Sequence, residues 1–191
     1  MIKALLFDFN GVIIDDESIQ QAIYAELLAA DGITMSDEMY FSRLGMDDKA
    51  FVSSVLMEAG KPAGIDRVLE LTTAKTQRWR EKMASELPLF SGIENFVRKS
   101  ANEFALGLVS MAKREEIDFV LETAGLADCF AVIVSAEEVN NYKPDPECYR
   151  KGFEQVDLVR ISSGHLPMTH SECVVIEDSP AGVAAGKGAG L

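Results

Sequence analysis

Residues 2–11 read IKALLFDFNG. From Ile2 to Phe7 both parities of the run are apolar, Ala4 and Leu6 on one side and Leu5 and Phe7 on the other. A half-buried strand alternates apolar with polar. A run apolar on both faces reads as a strand covered on both sides, and Asp8 and the Asn10-Gly11 turn end it. Three further runs share this character: Phe104–Val109 (FALGLV) ending at Ser110, Phe130–Val134 (FAVIV) ending at Ser135, and Cys173–Ile176 (CVVI) ending at Glu177-Asp178. Helical patterns separate them at 92–102, 114–124 and 146–156. Buried strands alternating with helices of that length build βαβ units, so the expected fold class is α/β, a Rossmann-like parallel sheet. Such sheets place their sites at the carboxyl ends of the strands, where each of these runs turns polar.

The stretch 16–87 contains no comparable strand. Ile19, Ile23, Leu27 and Leu28 recur at helical spacing, closed by Asp31-Gly32; Phe51, Val55 and Leu56 mark a second helix; Ile65, Val68, Leu69, Trp79 and Met83 mark a longer third. The expected organisation is a core of 1–15 and 88–191 interrupted by a helical cap domain, 16–87.

Eighteen Lys plus Arg stand against 31 Asp plus Glu in 191 residues, a formal net charge of −13. That balance opposes binding to nucleic acid or to an anionic membrane surface, both of which need clustered cations. It leaves room for one small anion, because a metal and a single lysine can reverse the field inside a cleft. Cys129, Cys148 and Cys173 have no CxxC spacing, so neither a disulfide framework nor a zinc site is expected. No apolar run approaches the roughly 18 residues of a membrane span. A cytoplasmic location is expected.

Asp8 at a strand end can be a nucleophile or a metal ligand, or simply a turn initiator. Glu177 and Asp178 end the fourth strand. Together with Asp8 they make an oxygen-only cluster suited to Mg²⁺. Ser110 offers a hydroxyl after the second strand, and Lys143 a cation after the third. Each alone is commonplace; four strand ends supplying Asp, Ser, Lys and Glu-Asp in that order is specific.

At these positions the chain resembles the haloacid dehalogenase superfamily, in the branch of phosphoglycolate phosphatase and β-phosphoglucomutase. FDFNGVIIDDE, LVSMAK, NYKPDPECY and VVIEDSPAGVAAGKGAG stand where that family has its four motifs, and the insert stands where it has its helical cap. The resemblance implies a Mg²⁺-dependent phosphohydrolase acting on a small phosphorylated metabolite. Asp8 is the implied nucleophile, forming an aspartyl-phosphate. Asp8, the Asn10 carbonyl and Asp178 are the implied metal ligands, with Glu177 as ligand or support. Ser110 and Lys143 are the implied phosphate partners. Gly11, Arg43, Lys75, Met111 and Lys113 are the implied substrate contacts. The cap is expected to set specificity by closing over the cleft.

Two positions depart from the family pattern. The family's phosphatases and mutases carry a second Asp two residues after the nucleophile, which protonates the leaving group and then activates water. Here that residue is Asn10, whose amide has no titratable proton. Reduced turnover is expected, unless Asp15, Asp16 or Glu17 substitutes. The alternatives are a catalytically impaired phosphate-binding or regulatory homologue and a phosphomutase. A dehalogenase or phosphonate hydrolase finds less support, because its extra residues cannot be located. The second departure is the end of the chain. Family members continue into another strand, so either the reading frame is truncated or the sheet lacks an edge strand. A monomer or weak homodimer is expected.

Overall fold

The computed structural model describes residues 1–191. Four strands, β1 (Ala4–Phe7), β2 (Ala105–Val109), β3 (Val132–Val134) and β4 (Cys173–Ile176), form one parallel sheet in the order β3-β2-β1-β4. Each lies within the apolar run that announced it. In register, Phe7 stands opposite Leu108 on one side and Ile176 on the other. One residue further on, the Asp8 N–H donates to the Ile176 carbonyl at 2.9 Å, and the Ser110 N–H to Val134 at 2.9 Å. Three strand ends therefore reach the same edge of the sheet together.

The two faces of β1 are covered differently. Ala4 and Leu6 join the apolar layer that includes Tyr149, Phe153 and Val156 of α7 (Glu147–Ser162) and Ala185 of α8 (Pro180–Gly188). Phe7 points the other way, edge-on to Phe96 of α5 (Ile93–Ala101) at 5.9 Å and to Phe130 at 5.8 Å. A fully buried side chain of this size stabilises by about 1.5–3 kcal/mol, which is why the double-faced apolar pattern commits the segment to the sheet. The helix α6 (Arg114–Thr123) completes the connection from β2 to β3.

α7 runs on to Ser162, past the Val156 expected from the pattern. Val156 is its last fully buried apolar residue. Leu158 and Ile161 face solvent, so the final turns carry no apolar period and end at Gly164, whose φ is 87°. No helix is long and apolar enough to cross a membrane.

The chain divides into two compact units, Met1–Asp15 with Leu89–Leu191, and Asp16–Pro88. The second unit is helical: α1 (Glu17–Ala29), α2 (Asp37–Phe41), α3 (Asp48–Glu58) and α4 (Ile65–Ser85). The Ser36 hydroxyl and the Asp47 carboxylate cap α2 and α3 by accepting the N–H groups of Met39 and Ala50, at 3.1 and 2.7 Å. α2 has only one buried residue, Tyr40, and so left no apolar period in the sequence.

The interior of this unit holds a polar node around Asp16. Asp16 is fully buried, and its Oδ2 accepts the indole N–H of Trp79 at 2.6 Å and the Gln20 amide at 3.0 Å. Asp16→Ala should lower stability by about 1–3 kcal/mol, the cost of leaving buried donors unpaired. Urea unfolding followed by fluorescence of Trp79, the single tryptophan, measures this. An unchanged midpoint would remove Asp16 from the packing of the unit.

Candidate active site

β1 ends in a tight turn. The Phe9 carbonyl accepts the N–H groups of Ile13 and Ile14 at 2.8 and 3.2 Å, and the Gly11 N–H donates to Ile14 at 2.9 Å. Gly11 has φ 78°, a conformation that side chains disfavour, and a Cβ there would lie 2.1 Å from Asp178 Oδ2. The turn thus passes directly over Asp178, and only glycine permits it. Asn10 sits within the turn, bridged to Ile14.

Lys143 arrives on the loop after β3. Glu147, the first residue of α7, holds that loop. Its Oε1 accepts the backbone and side-chain N–H groups of Asn140 at 3.0 and 3.2 Å, and its Oε2 those of Asn141, both at 2.9 Å. These bonds, the Asn140 backbone N–H foremost, keep the Glu147 carboxyl below its usual range against the opposing effect of burial. A depressed carboxyl contributes its full stabilisation above the ordinary glutamate range and loses it as the pH falls through its folded value. The Asn140 and Asn141 amide resonances should therefore shift and broaden on acidification below that range, while the strand amides stay in place. Amides that do not respond would show that the loop is held without Glu147.

The Lys143 ammonium is almost wholly buried. It lies 2.9 Å from Asp8 Oδ1 and 2.5 Å from Glu177 Oε1, with the Val109 carbonyl at 3.5 Å. Burial works against its charge, yet Asp8 and Glu177 outweigh burial and hold it above the ordinary lysine value. Burial pushes the Asp8 carboxyl up to about 7, with Lys143 pulling it down and Glu177 adding to the rise. Burial also opposes the Glu177 charge, but Lys143, the Tyr149 hydroxyl and the Ser179 N–H together hold that carboxyl below its usual value. Asp178 is raised, by burial first and by neighbouring Glu177 second.

Both oxygens of Glu177 are engaged. Oε1 takes Lys143 and, at 2.7 Å, the Tyr149 hydroxyl; Oε2 takes the Ser179 N–H and hydroxyl at 3.3 and 3.2 Å. Gly182 makes room for it, since a Cβ at Gly182 would stand 1.9 Å from the Glu177 carboxylate. Ser179 also caps α8 by accepting the Gly182 N–H at 3.0 Å.

Ligand oxygens of Asp8, Glu177 and Asp178 all lie within 4.8 Å of one another. The donor set is hard and oxygen-only. Fully ionised, its three carboxylates would exceed the one ammonium by two negative charges, which a divalent cation matches. These residues fit Mg²⁺.

The sheet edge thus brings Asp8, Gly11, Lys143, Glu177 and Asp178 together. Ser110 ends β2 at the same edge, nearly fully buried, its Oγ accepting the Ala112 N–H at 3.0 Å. The Met111 side chain packs into the apolar layer over the sheet, so what it offers a ligand is backbone. Lys113 is the N-cap of α6. Arg43 and Lys75 belong to the helical unit. Arg43 donates to Ser54 Oγ at 2.8 Å and to the Met39 carbonyl at 2.6 Å, and pairs with Glu58. Lys75 is buried, 3.3 Å from Asp48 Oδ1. Asp16 accepts from Trp79, and Glu17 accepts the Tyr40 hydroxyl at 2.7 Å. Tyr149, Glu147, Ser179 and Gly182 are site residues that the sequence did not single out. Tyr149 lies inside the NYKPDPECY stretch but reads there as one more apolar helix residue.

A parallel α/β sheet that gathers carboxylates and one lysine at its carboxyl edge is the layout of an enzyme core. The chain belongs to the haloacid dehalogenase-like hydrolases, whose family model matches residues 5–191. It is 28% identical over 194 residues to the phosphorylated carbohydrates phosphatase of Thermotoga maritima, spanning all of this chain and 82% of that protein. A mutant of CbbY from Rhodobacter sphaeroides, solved in complex with xylulose-(1,5)bisphosphate, superposes with a TM-score of 0.84 at 26% identity, over 100% of this chain and 84% of that one. The β-phosphoglucomutase of Clostridium difficile shares the fold with a TM-score of 0.86 at 23% identity, over 100% and 82% of the two chains.

Proposed function

We propose that the protein is a phosphatase for a small phosphorylated carbohydrate or related metabolite, with Asp8 as nucleophile and with turnover limited by Asn10. The observation that carries this reading is the position of Asp8, held by Lys143 at 2.9 Å beside Glu177 and Asp178 at the strand ends. The names of the similar proteins support the substrate class.

An Asp8 oxygen attacks phosphorus. A bond forms from that oxygen to phosphorus as the bond to the leaving alkoxide breaks, giving an aspartyl-phosphate. Water then attacks the acyl phosphate, releasing orthophosphate and restoring the carboxylate. Lys143 offsets the charge that builds up between Asp8 and the phosphoryl oxygens. The Ser110 oxygen already accepts from Ala112, so its hydroxyl proton is left for a phosphoryl oxygen. Asp8, the Asn10 carbonyl and Asp178 would hold Mg²⁺; when bound it neutralises the repulsion between nucleophile and phosphate. Glu177 has both oxygens engaged, so its part is to support Lys143 and the turn into α8. Asn10 can donate a hydrogen bond to the leaving oxygen but cannot give it a proton. Substrates with good leaving groups, such as acyl or aryl phosphates, should therefore turn over faster than sugar phosphates.

The test is a panel of phosphorylated metabolites and aryl phosphates, assayed with Mg²⁺ and with chelator, for the wild type and Asp8→Asn. The expected result is Mg²⁺-dependent release of orthophosphate that falls to background in Asp8→Asn. Tight binding across the panel with no turnover would replace this reading by that of a phosphate-ligand binder, the alternative that Asn10 favours.

A further inference from the structure

We propose that Tyr149 is a positioning residue that sets how Lys143 is shared between Asp8 and Glu177; the inference rests on the phosphatase reading above. Lysine is a flexible chain ending in a point charge, so an active-site lysine needs its surroundings to aim it. Here one side chain touches both its charge and its competing partner. The Tyr149 ring centroid lies 5.0 Å from Lys143 Nζ, within cation–π range. The Tyr149 hydroxyl donates at 2.7 Å to Glu177 Oε1, the same oxygen that receives Lys143 at 2.5 Å. Tyr149 is the third residue of α7 and has no exposed surface, so the ring cannot swing away.

The consequence follows from competition for one ammonium. Glu177 and Asp8 both attract Lys143. A phenol hydrogen bond satisfies part of the Glu177 Oε1 charge, weakens its pull on Lys143 and leaves the ammonium shared with Asp8. The same bond lowers the availability of Glu177 as a cation ligand, leaving that role to Asp8 and Asp178. Without the hydroxyl, Glu177 should draw Lys143 toward itself and present a less satisfied oxygen to a metal. The nucleophile would lose charge compensation while the metal site gained a ligand.

Tyr149→Phe keeps the ring and its volume and removes only the hydroxyl. It is expected to lower kcat about tenfold, the effect of one charge-assisted hydrogen bond, with KM for the phosphoester changed by less than about twofold. Calorimetric titration of substrate-free protein with Mg²⁺ is expected to give at least about threefold tighter binding in the variant. Opposite movement of turnover and metal affinity separates positioning from a merely structural role, which would weaken both. In a Glu177→Gln background, Tyr149→Phe should change kcat little further, because the charge whose pull on Lys143 it moderates is gone. An unchanged kcat, unchanged or weaker Mg²⁺ binding, or full additivity with Glu177→Gln overturns the proposal. A wild type that binds Mg²⁺ without turnover defeats the phosphatase reading alone, and the Mg²⁺ titration still decides Tyr149. A wild type that does not bind Mg²⁺ overturns both.

Discussion

Asn10→Asp is expected to raise kcat on an unactivated sugar phosphate by at least about tenfold and by as much as roughly 10⁴-fold, the range that general acid–base catalysis supplies. Asn and Asp have nearly the same shape, and the residue is held by its backbone, in the turn bridged to Ile14. The substitution therefore keeps the turn and supplies the missing titratable group. The gain should be largest for poor leaving groups, whose departing alkoxide needs a proton, and small for aryl or acyl phosphates. It should also appear in both half-reactions, since one carboxyl serves as acid in the first and as base in the second. Steady-state kinetics on a sugar phosphate and an aryl phosphate, with circular dichroism to check the fold, measure the difference. Equal rates for both proteins on the sugar phosphate, with the fold intact, would sink the idea that the missing acid limits turnover.

Lys143→Met should be the most destabilising single change at the sheet edge. It leaves Asp8 and Glu177, two buried carboxylates at neighbouring strand ends, without their shared cation. Removing one member of a buried charge pair costs about 3–5 kcal/mol, because the remaining charge has lost its partner and cannot regain water. The same change removes the charge that faces the phosphoryl group, so turnover should fall with stability. Denaturant unfolding in chelator gives the stability; repeating it with saturating Mg²⁺ should restore part of the loss, as a ligand of the folded state does. A Lys143→Met protein as stable as the wild type in chelator would mean that Asp8 and Glu177 do not carry their charges together.

Much of this molecule is legible in the order of its residues. The runs at Ala4–Phe7, Ala105–Val109, Val132–Val134 and Cys173–Ile176 are apolar on both faces and all become strands, the central β1 and β2 buried almost throughout; β4 stands at the sheet edge, and there the pattern overstates burial, since Val174 is exposed. Asp8, Ser110 and Glu177-Asp178, which end three of those runs, are gathered at the sheet edge, joined by Lys143 from the loop after the third. Parallel pairing puts consecutive strand ends on one side, so the order Asp8, Ser110, Lys143, Glu177-Asp178 already implied a shared location. The absence of the family's second acid is also a fact of sequence, since Asn10 is read directly.

Other features exist only once the chain has closed. Nothing in NYKPDPECY distinguishes Tyr149 as a core ring from Tyr149 as a donor to Glu177. The difference depends on the first turn of α7 lying beside the end of β4. Glu147 reads as an acidic first-turn residue, yet its four accepted hydrogen bonds come from a loop that must first fold back onto it. Gly182 reads as one small residue among many; the Glu177 carboxylate 1.9 Å from where its Cβ would be makes it indispensable. Arg43 and Lys75 read as cations awaiting a ligand, and within the helical unit each has carboxylate partners, Glu58 and Asp48. The sequence by itself determined which segments are buried and which residues end them, because burial is a property of local apolar period. Tertiary structure decided which partner each charge keeps, because a hydrogen bond needs ångström placement of two groups that the chain brings together from far apart.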